Sequence, residues 1–178
     1  MEYLRLSWRD IEEQCKELAR RIKERKLSFD LIIALARGGW VPGRLLSDYL
    51  GNDELYTVRV KYYAGVGRRR EKPLILHPTQ FDIAGKKVLL VDDIADTGES
   101  LLAAIEHLRQ RGAGSIYVAT LVKKPHSKVT PDLYVRETSA WVVFPWEVKE
   151  TIESIKVKGR DELRKAKISD EEYKSFMF

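Results

Sequence analysis

Apolar positions in residues 7–26 recur at helical spacing, with Ile11, Cys15, Leu18 and Ile22 on one stripe and charged residues between them. This pattern predicts an amphipathic helix capped by Ser7. Beyond it the period changes. Leu31 to Leu35 and Val88 to Val91 are unbroken apolar runs, the pattern of strands buried on both faces of a parallel sheet. Residues 55–60 and 115–121 read as further strands, and residues 42–50 and 101–111 as helices, with Pro42 suited to a helix start and Gly51 and Gly112 to helix ends. Strand and helix alternate from Leu31 to Leu121, which predicts an α/β fold: a parallel sheet core flanked by helices on both faces. Residues 61–79 break the rhythm, holding Gly65, Gly67, Pro73, Pro78 and the run Arg68-Arg69-Arg70 without a sustained period. A loop of that length in a compact domain is functional or disordered.

With 178 residues the chain fits one domain that can bury a substantial core. Its 44% hydrophobic and 33% charged content is that of a soluble globular protein with a heavily charged surface. No apolar run approaches the ~20 residues of a membrane helix, and no signal peptide opens the chain, so the expected location is the cytoplasm and no membrane partner is expected. The net charge of +5 suits a polyanionic small substrate, and nucleic acid is not required because 32 basic residues are interleaved with 27 acidic ones. The single Cys15 lies on the apolar stripe and reads as a buried small hydrophobe. His77, His107 and His126 lack metal-ligand spacing, so no structural metal is expected.

The chemistry concentrates after the run Val88-Leu89-Leu90-Val91. Asp92 and Asp93 follow at the carboxyl end of a predicted buried strand, the edge at which open α/β sheets bind ligands. The turn Asp96-Thr97-Gly98-Glu99-Ser100 then leads into a helix, whose N-terminal amides and hydroxyls can converge on an anion. Two carboxylates beside a phosphate cradle suit a ligand with vicinal hydroxyls, Mg²⁺ and a terminal phosphate. That describes a phosphorylated ribose.

The stretch resembles the phosphoribosyl diphosphate (PRPP) motif of type I phosphoribosyltransferases: four apolar residues, two acidic ones, two mostly apolar residues, a variable one, then Thr-Gly and a small or hydroxyl residue. An apolar strand with Asp-Asp also occurs in receiver domains, but those carry the pair after their first strand and lack the Asp-Thr-Gly cradle. The resemblance implies that Asp92 and Asp93 bind the ribose hydroxyls and the water shell of Mg²⁺, and that Asp96, Thr97, Gly98, Glu99 and Ser100 hold the 5′-phosphate. Glu99 departs from the pattern, since a carboxylate beside a phosphate is unhelpful unless it points outward. The loop Arg37-Gly38-Gly39 resembles the family's pyrophosphate loop, often shaped by a cis peptide. Residues 61–79 correspond to a flexible hood in which Arg68, Arg69 and Arg70 would neutralise departing pyrophosphate.

Beyond Val122 the chain resembles the base-binding region of the xanthine-guanine and hypoxanthine (6-oxopurine) phosphoribosyltransferases. Trp141 would stack on the purine, Val142 would offer backbone groups to the ring edge, and Lys124, or alternatively Lys128, would donate to the 6-oxo group. Asp96, where adenine relatives carry Ala and orotate relatives Thr, would be the catalytic acid-base group. The implied organisation is a phosphoribosyltransferase domain over 1–148, with its hood at 61–79 and a small base-binding subdomain at 122–147, followed by a charged extension over 149–178 that is not a separate domain. The implied partners are PRPP, a purine base and the nucleoside monophosphate product, in a homodimer or homotetramer. The alternatives are a PRPP-sensing, nucleic-acid-binding regulator with the same fold, or an enzyme for another base.

Overall fold

The computed structural model describes residues 2–63, 72–77 and 81–176. It divides into two compact units, Met1–Ile11 with Ser139–Phe178, and Glu12–Thr138. In chain order the elements are β1 (Tyr3–Arg5), α1 (Trp8–Glu24), β2 (Leu31–Ala36), α2 (Trp40–Leu50), β3 (Leu55–Tyr63), β4 (Lys72–His77), β5 (Lys87–Ala95), α3 (Glu99–Gln110), β6 (Ser115–Lys123), β7 (Leu133–Glu137), β8 (Trp141–Val143), α4 (Val148–Ile155), α5 (Arg160–Lys165) and α6 (Asp170–Ser175).

The larger unit is built on a six-stranded sheet of order β4-β3-β2-β5-β6-β7. Every neighbouring pair is parallel except β3 with β4. The apolar runs in β2 and β5 occupy its centre, as expected for strands covered on both faces. On one face Leu31, Ile33, Leu35, Val88 and Leu90 pack with Leu101, Ala104 and Leu108 of α3. The other face receives α2, where a Cβ on Gly43 would lie 2.8 Å from the Ala34 methyl. The small residues at both positions let helix and strand approach closely. Gly51 ends α2 in the left-handed region at φ 65°, the conformation glycine adopts most easily. Cys15 is buried, and burial pushes its thiol up to about 12, which leaves it an inert packing residue.

Two expectations change here. Residues 133–135 do not belong to a small subdomain beside the sheet; β7 is the sheet's edge strand, in parallel register with β6 through Ala119↔Leu133 and Thr120↔Tyr134. Asp132 fixes that crossover by accepting a hydrogen bond of 2.7 Å from the Val118 amide. The strand expected over 55–60 also lengthens: β3 continues to Tyr63 and pairs antiparallel with β4. Arg68, Arg69 and Arg70 lie outside the described residues.

The smaller unit pairs β1 with β8 in parallel. Residues 149–178, expected as an extension of the larger domain, instead group with residues 1–11 and 139–148 around a core of their own. Tyr3 and Val143 pack there with Val148, Ile152, Ile155, Leu163, Ala166 and Ile168, and Tyr173 and Phe176 pack against that cluster. Apolar positions in the tail are spaced too widely for one amphipathic helix, because three short helices share the burial. Tyr3 donates a 2.8 Å hydrogen bond to Glu162; burial and that bond raise the phenol to about 12. Ile152→Val is expected to destabilise this unit by about 0.5–1.5 kcal/mol, the usual result of removing one buried methylene. A urea midpoint identical to wild type, read from probes in the tail, would show that Ile152 is not packed in solution. Among the described residues no helix is long and apolar enough to cross a membrane.

Candidate active site

The carboxyl ends of β2, β5 and β6 bring three short segments together. The first follows β2, where the chain turns through a cis peptide between Ala36 and Arg37, at the start of the Arg37-Gly38-Gly39 loop. Gly39 then starts α2, its amide donating to the Leu35 carbonyl at 2.9 Å.

The second segment is the end of β5. The strand runs on through the acidic pair to Ala95, so successive side chains alternate between the sheet faces. Asp92 is in register with Thr120 on β6. Asp93, only 5% exposed, turns to the Arg37-Gly38-Gly39 loop. A Cβ on Gly38 would lie 2.3–2.4 Å from the Asp93 carboxyl atoms. Gly38 is therefore glycine because a buried carboxylate occupies the space of a side chain. Gly38→Ala is expected to displace Asp93 and weaken PRPP binding by about 1–3 kcal/mol, the scale of forced overpacking. Titration calorimetry with PRPP checks this, and unchanged affinity would separate Asp93 from the ligand.

The third segment is the turn between β5 and α3. Thr97 Oγ1 accepts from the Glu99 amide at 3.3 Å, and Gly98 takes φ 80°. The helix opens at Glu99, two residues before the expected Leu101, with no side chain capping it. Asp92, Asp93, Ile94, Asp96, Thr97, Gly98, Ser100 and Leu101 line a cavity of about 180 Å³. Its walls hold backbone donors, hydroxyls and carboxylates, which suits a phosphorylated polyol. Among the described residues no group of three or more His, Cys, Asp or Glu could hold a metal ion unaided. Two carboxylates do fit Mg²⁺, which keeps most of its waters and takes the rest of its oxygens from a phosphorylated ligand.

The chain following β6 folds back over this turn. Lys124 donates its amide to the Ala95 carbonyl and Lys128 to the Thr97 carbonyl, each at 2.9 Å. The approach is close enough that a Cβ on Gly98 would meet the Val129 amide nitrogen at 2.7 Å and Ser127 Oγ at 2.8 Å. The two candidate lysines have different surroundings. Lys124 is buried; desolvation lowers its pKa, and the Asp96 carboxylate opposes that shift. Lys128 pairs through Nζ with Glu99 Oε1 at 2.6 Å on the exposed side of the turn. That pairing also answers the anomaly of Glu99, whose carboxylate is neutralised at the rim.

His126, not selected from the sequence, reaches Asp96: its Nε2 lies 3.3 Å from Asp96 Oδ1. The signal was a histidine two positions beyond Lys124, which carries no meaning until the turn is placed. Trp141 and Val142 open β8 in the smaller unit; Trp141 is 47% exposed, so it is not core packing, and Val142 is buried. Trp146 stacks on Phe144 with centroids 5.0 Å apart.

The phosphoribosyl transferase domain profile matches residues 6–152. The chain belongs to the phosphoribosyltransferase family. This phosphoribosyltransferase is 29% identical over 147 residues to a xanthine-guanine phosphoribosyltransferase of Gluconobacter oxydans (strain 621H), covering 82% of the chain and 84% of that protein. The crystal structure of a purine phosphoribosyltransferase from Pyrococcus horikoshii Ot3 superposes with a TM-score of 0.75 at 40% identity, covering 82% of the chain and 94% of that one. A Helicobacter pylori xanthine-guanine-hypoxanthine phosphoribosyltransferase shares the fold, with a TM-score of 0.72 at 22% identity over 86% of the chain and 99% of its own.

Proposed function

We propose that this phosphoribosyltransferase serves purine salvage, transferring ribose 5-phosphate from PRPP to a 6-oxopurine (hypoxanthine, guanine or xanthine) and forming the nucleoside monophosphate and pyrophosphate. The observation that carries the choice of base is the buried Lys124 ammonium beside Asp96. An ammonium offers donors and no acceptor, so it suits a 6-oxo oxygen and leaves a 6-amino group unmatched. The relatives named for xanthine-guanine and purine substrates support the same class.

In this reading Thr97, Gly98, Ser100 and the amides at the start of α3 hold the 5′-phosphate. Asp92 and Asp93 bind the ribose hydroxyls. They would also hold, mostly through water and PRPP, a Mg²⁺ ion, whose charge would stabilise departing pyrophosphate. Arg37, Gly38 and Gly39 form the pyrophosphate loop, and Arg68, Arg69 and Arg70 supply charge for departing pyrophosphate. Trp141 stacks on the base, an interaction worth roughly 1–3 kcal/mol at comparable sites, and the Val142 backbone reads the ring edge. Asp96 takes the proton from the purine's imidazole ring as the base bonds to the anomeric carbon and pyrophosphate leaves, passes it to solvent, and returns it to the base only in the reverse reaction, with base and anomeric carbon held in line. No covalent nucleophile takes part. The enzyme acts in the cytoplasm as a homodimer or homotetramer. A steady-state screen of free bases with PRPP and Mg²⁺ tests the function: turnover of hypoxanthine, guanine or xanthine is expected, and no turnover of any of them would refute it.

A further inference from the structure

The geometry points to His126 as a positioning residue that holds the Asp96 carboxylate in its working orientation, an inference that rests on the role given to Asp96 above. Asp96 is a short side chain on an exposed turn, its carboxyl end 59% exposed, so its own loop does little to orient it. The His126 side chain is itself 63% exposed, but its backbone is held on both sides. Pro125 restricts the backbone just before it. On one side the Lys124 amide is bonded to Ala95, on the other the Lys128 amide is bonded to Thr97, and the Ser127 amide closes the turn on the Lys124 carbonyl at 3.1 Å. The anchors on the partner segment, Ala95 and Thr97, are the two neighbours of Asp96. The backbone therefore clamps His126 and Asp96 opposite each other, with Nε2 and Oδ1 3.3 Å apart.

Among the described residues the charged groups on this turn and the elements against it include Asp92, Asp93 and Asp96 from β5 and its loop, Glu99 at the start of α3, Lys123 at the end of β6, which pairs with Glu137 at 2.9 Å, Lys124 just beyond it, and Lys128. Lys128 and Glu99 satisfy each other. Lys124 is buried and interacts with Asp96, but in the proposed function it is committed to the base. His126 is left as the group that can steady one Asp96 oxygen while the other exchanges a proton with the purine. In the open site solvent weakens such a contact. It strengthens once a seated purine excludes water, so its effect falls on turnover more than on binding.

The test compares kcat and KM in the wild type, His126→Ala and His126→Gln, each also with Asp96→Asn. Gln carries an amide donor of similar reach. His126→Ala is expected to lower kcat about 10-fold, within the loss that misplacing a catalytic group causes, with KM for PRPP within about twofold. His126→Gln should recover most of the loss. With Asp96→Asn in place, His126→Ala should cause no further loss, because two residues that act as one unit are not additive. The inference is overturned if His126→Ala keeps wild-type kcat, if it raises KM for PRPP alone, if Gln fails to rescue, or if the full loss persists beside Asp96→Asn. A wild type that turned over no 6-oxopurine would overturn the functional reading as well, whereas failure of these ratios beside normal wild-type turnover would overturn the role of His126 alone.

Discussion

Asp96→Asn is expected to lower kcat by about 10²–10⁴-fold, the usual scale for losing a general acid or base, and to leave PRPP affinity nearly unchanged. The amide keeps the size of the carboxylate and loses its ability to take up a proton. Asp96 is exposed at the rim of the cavity, whereas Asp93 is buried against Gly38. A substitution at 96 therefore disturbs the chemistry without collapsing the cradle. Parallel measurement of kcat and of PRPP binding separates the two roles. Near-normal turnover would reduce Asp96 to a residue that shapes the loop, and a large loss of PRPP affinity would assign it to the 5′-phosphate.

Adenine is expected to be turned over at least about 10²-fold less well than guanine or hypoxanthine, read as kcat/KM at saturating PRPP. Lys124 is the reason. Burial has already removed much of its hydration, so a base that offers it an acceptor restores a hydrogen bond and a 6-amino group does not. Leaving a buried polar group unmatched is worth about 1–3 kcal/mol, and sites built this way discriminate strongly. Lys124→Ala should reduce guanine turnover and narrow the gap to adenine, while Lys128→Ala, which removes only the rim pair with Glu99, should leave both within a few fold. Adenine turned over as fast as guanine would refute the choice of base, and a large effect confined to Lys128→Ala would move the 6-oxo contact there.

Which parts of the molecule were legible in the chain follows from how far apart the deciding residues lie. Residues 88–101 carry a strand, an acidic pair, a glycine turn and a helix start, all set by neighbours a few positions apart. They read correctly apart from two boundaries: the strand runs on through the acidic pair to Ala95, and the helix opens early because Thr97 and Gly98 turn the chain. The alternation of buried runs with amphipathic helices likewise determined a parallel α/β sheet, since side-chain period reports directly on which faces are covered. The reason for a glycine at 38 was not legible, because it depends on the buried Asp93 carboxylate from another strand. Only the sheet register could show that. Nor could the chain separate Lys124 from Lys128. Both follow β6, and the difference arises when the returning turn binds Ala95 and Thr97, burying one ammonium and leaving the other beside Glu99.

The tail shows the same division. Its charged, weakly periodic sequence holds no helix long enough to announce itself, and its burial becomes visible only when Tyr3 and Val143 supply the other half of the core. The sequence by itself determined the class of fold and the strand, glycine turn and helix start around the acidic pair, because local spacing encodes both. Tertiary structure decided which carboxylate lies against Gly38, which lysine is desolvated, that His126 faces Asp96, and that the two ends of the chain share a core. Each of these depends on contacts between segments remote in sequence, where the energy lies in burial and in backbone hydrogen bonds that no single segment can form alone.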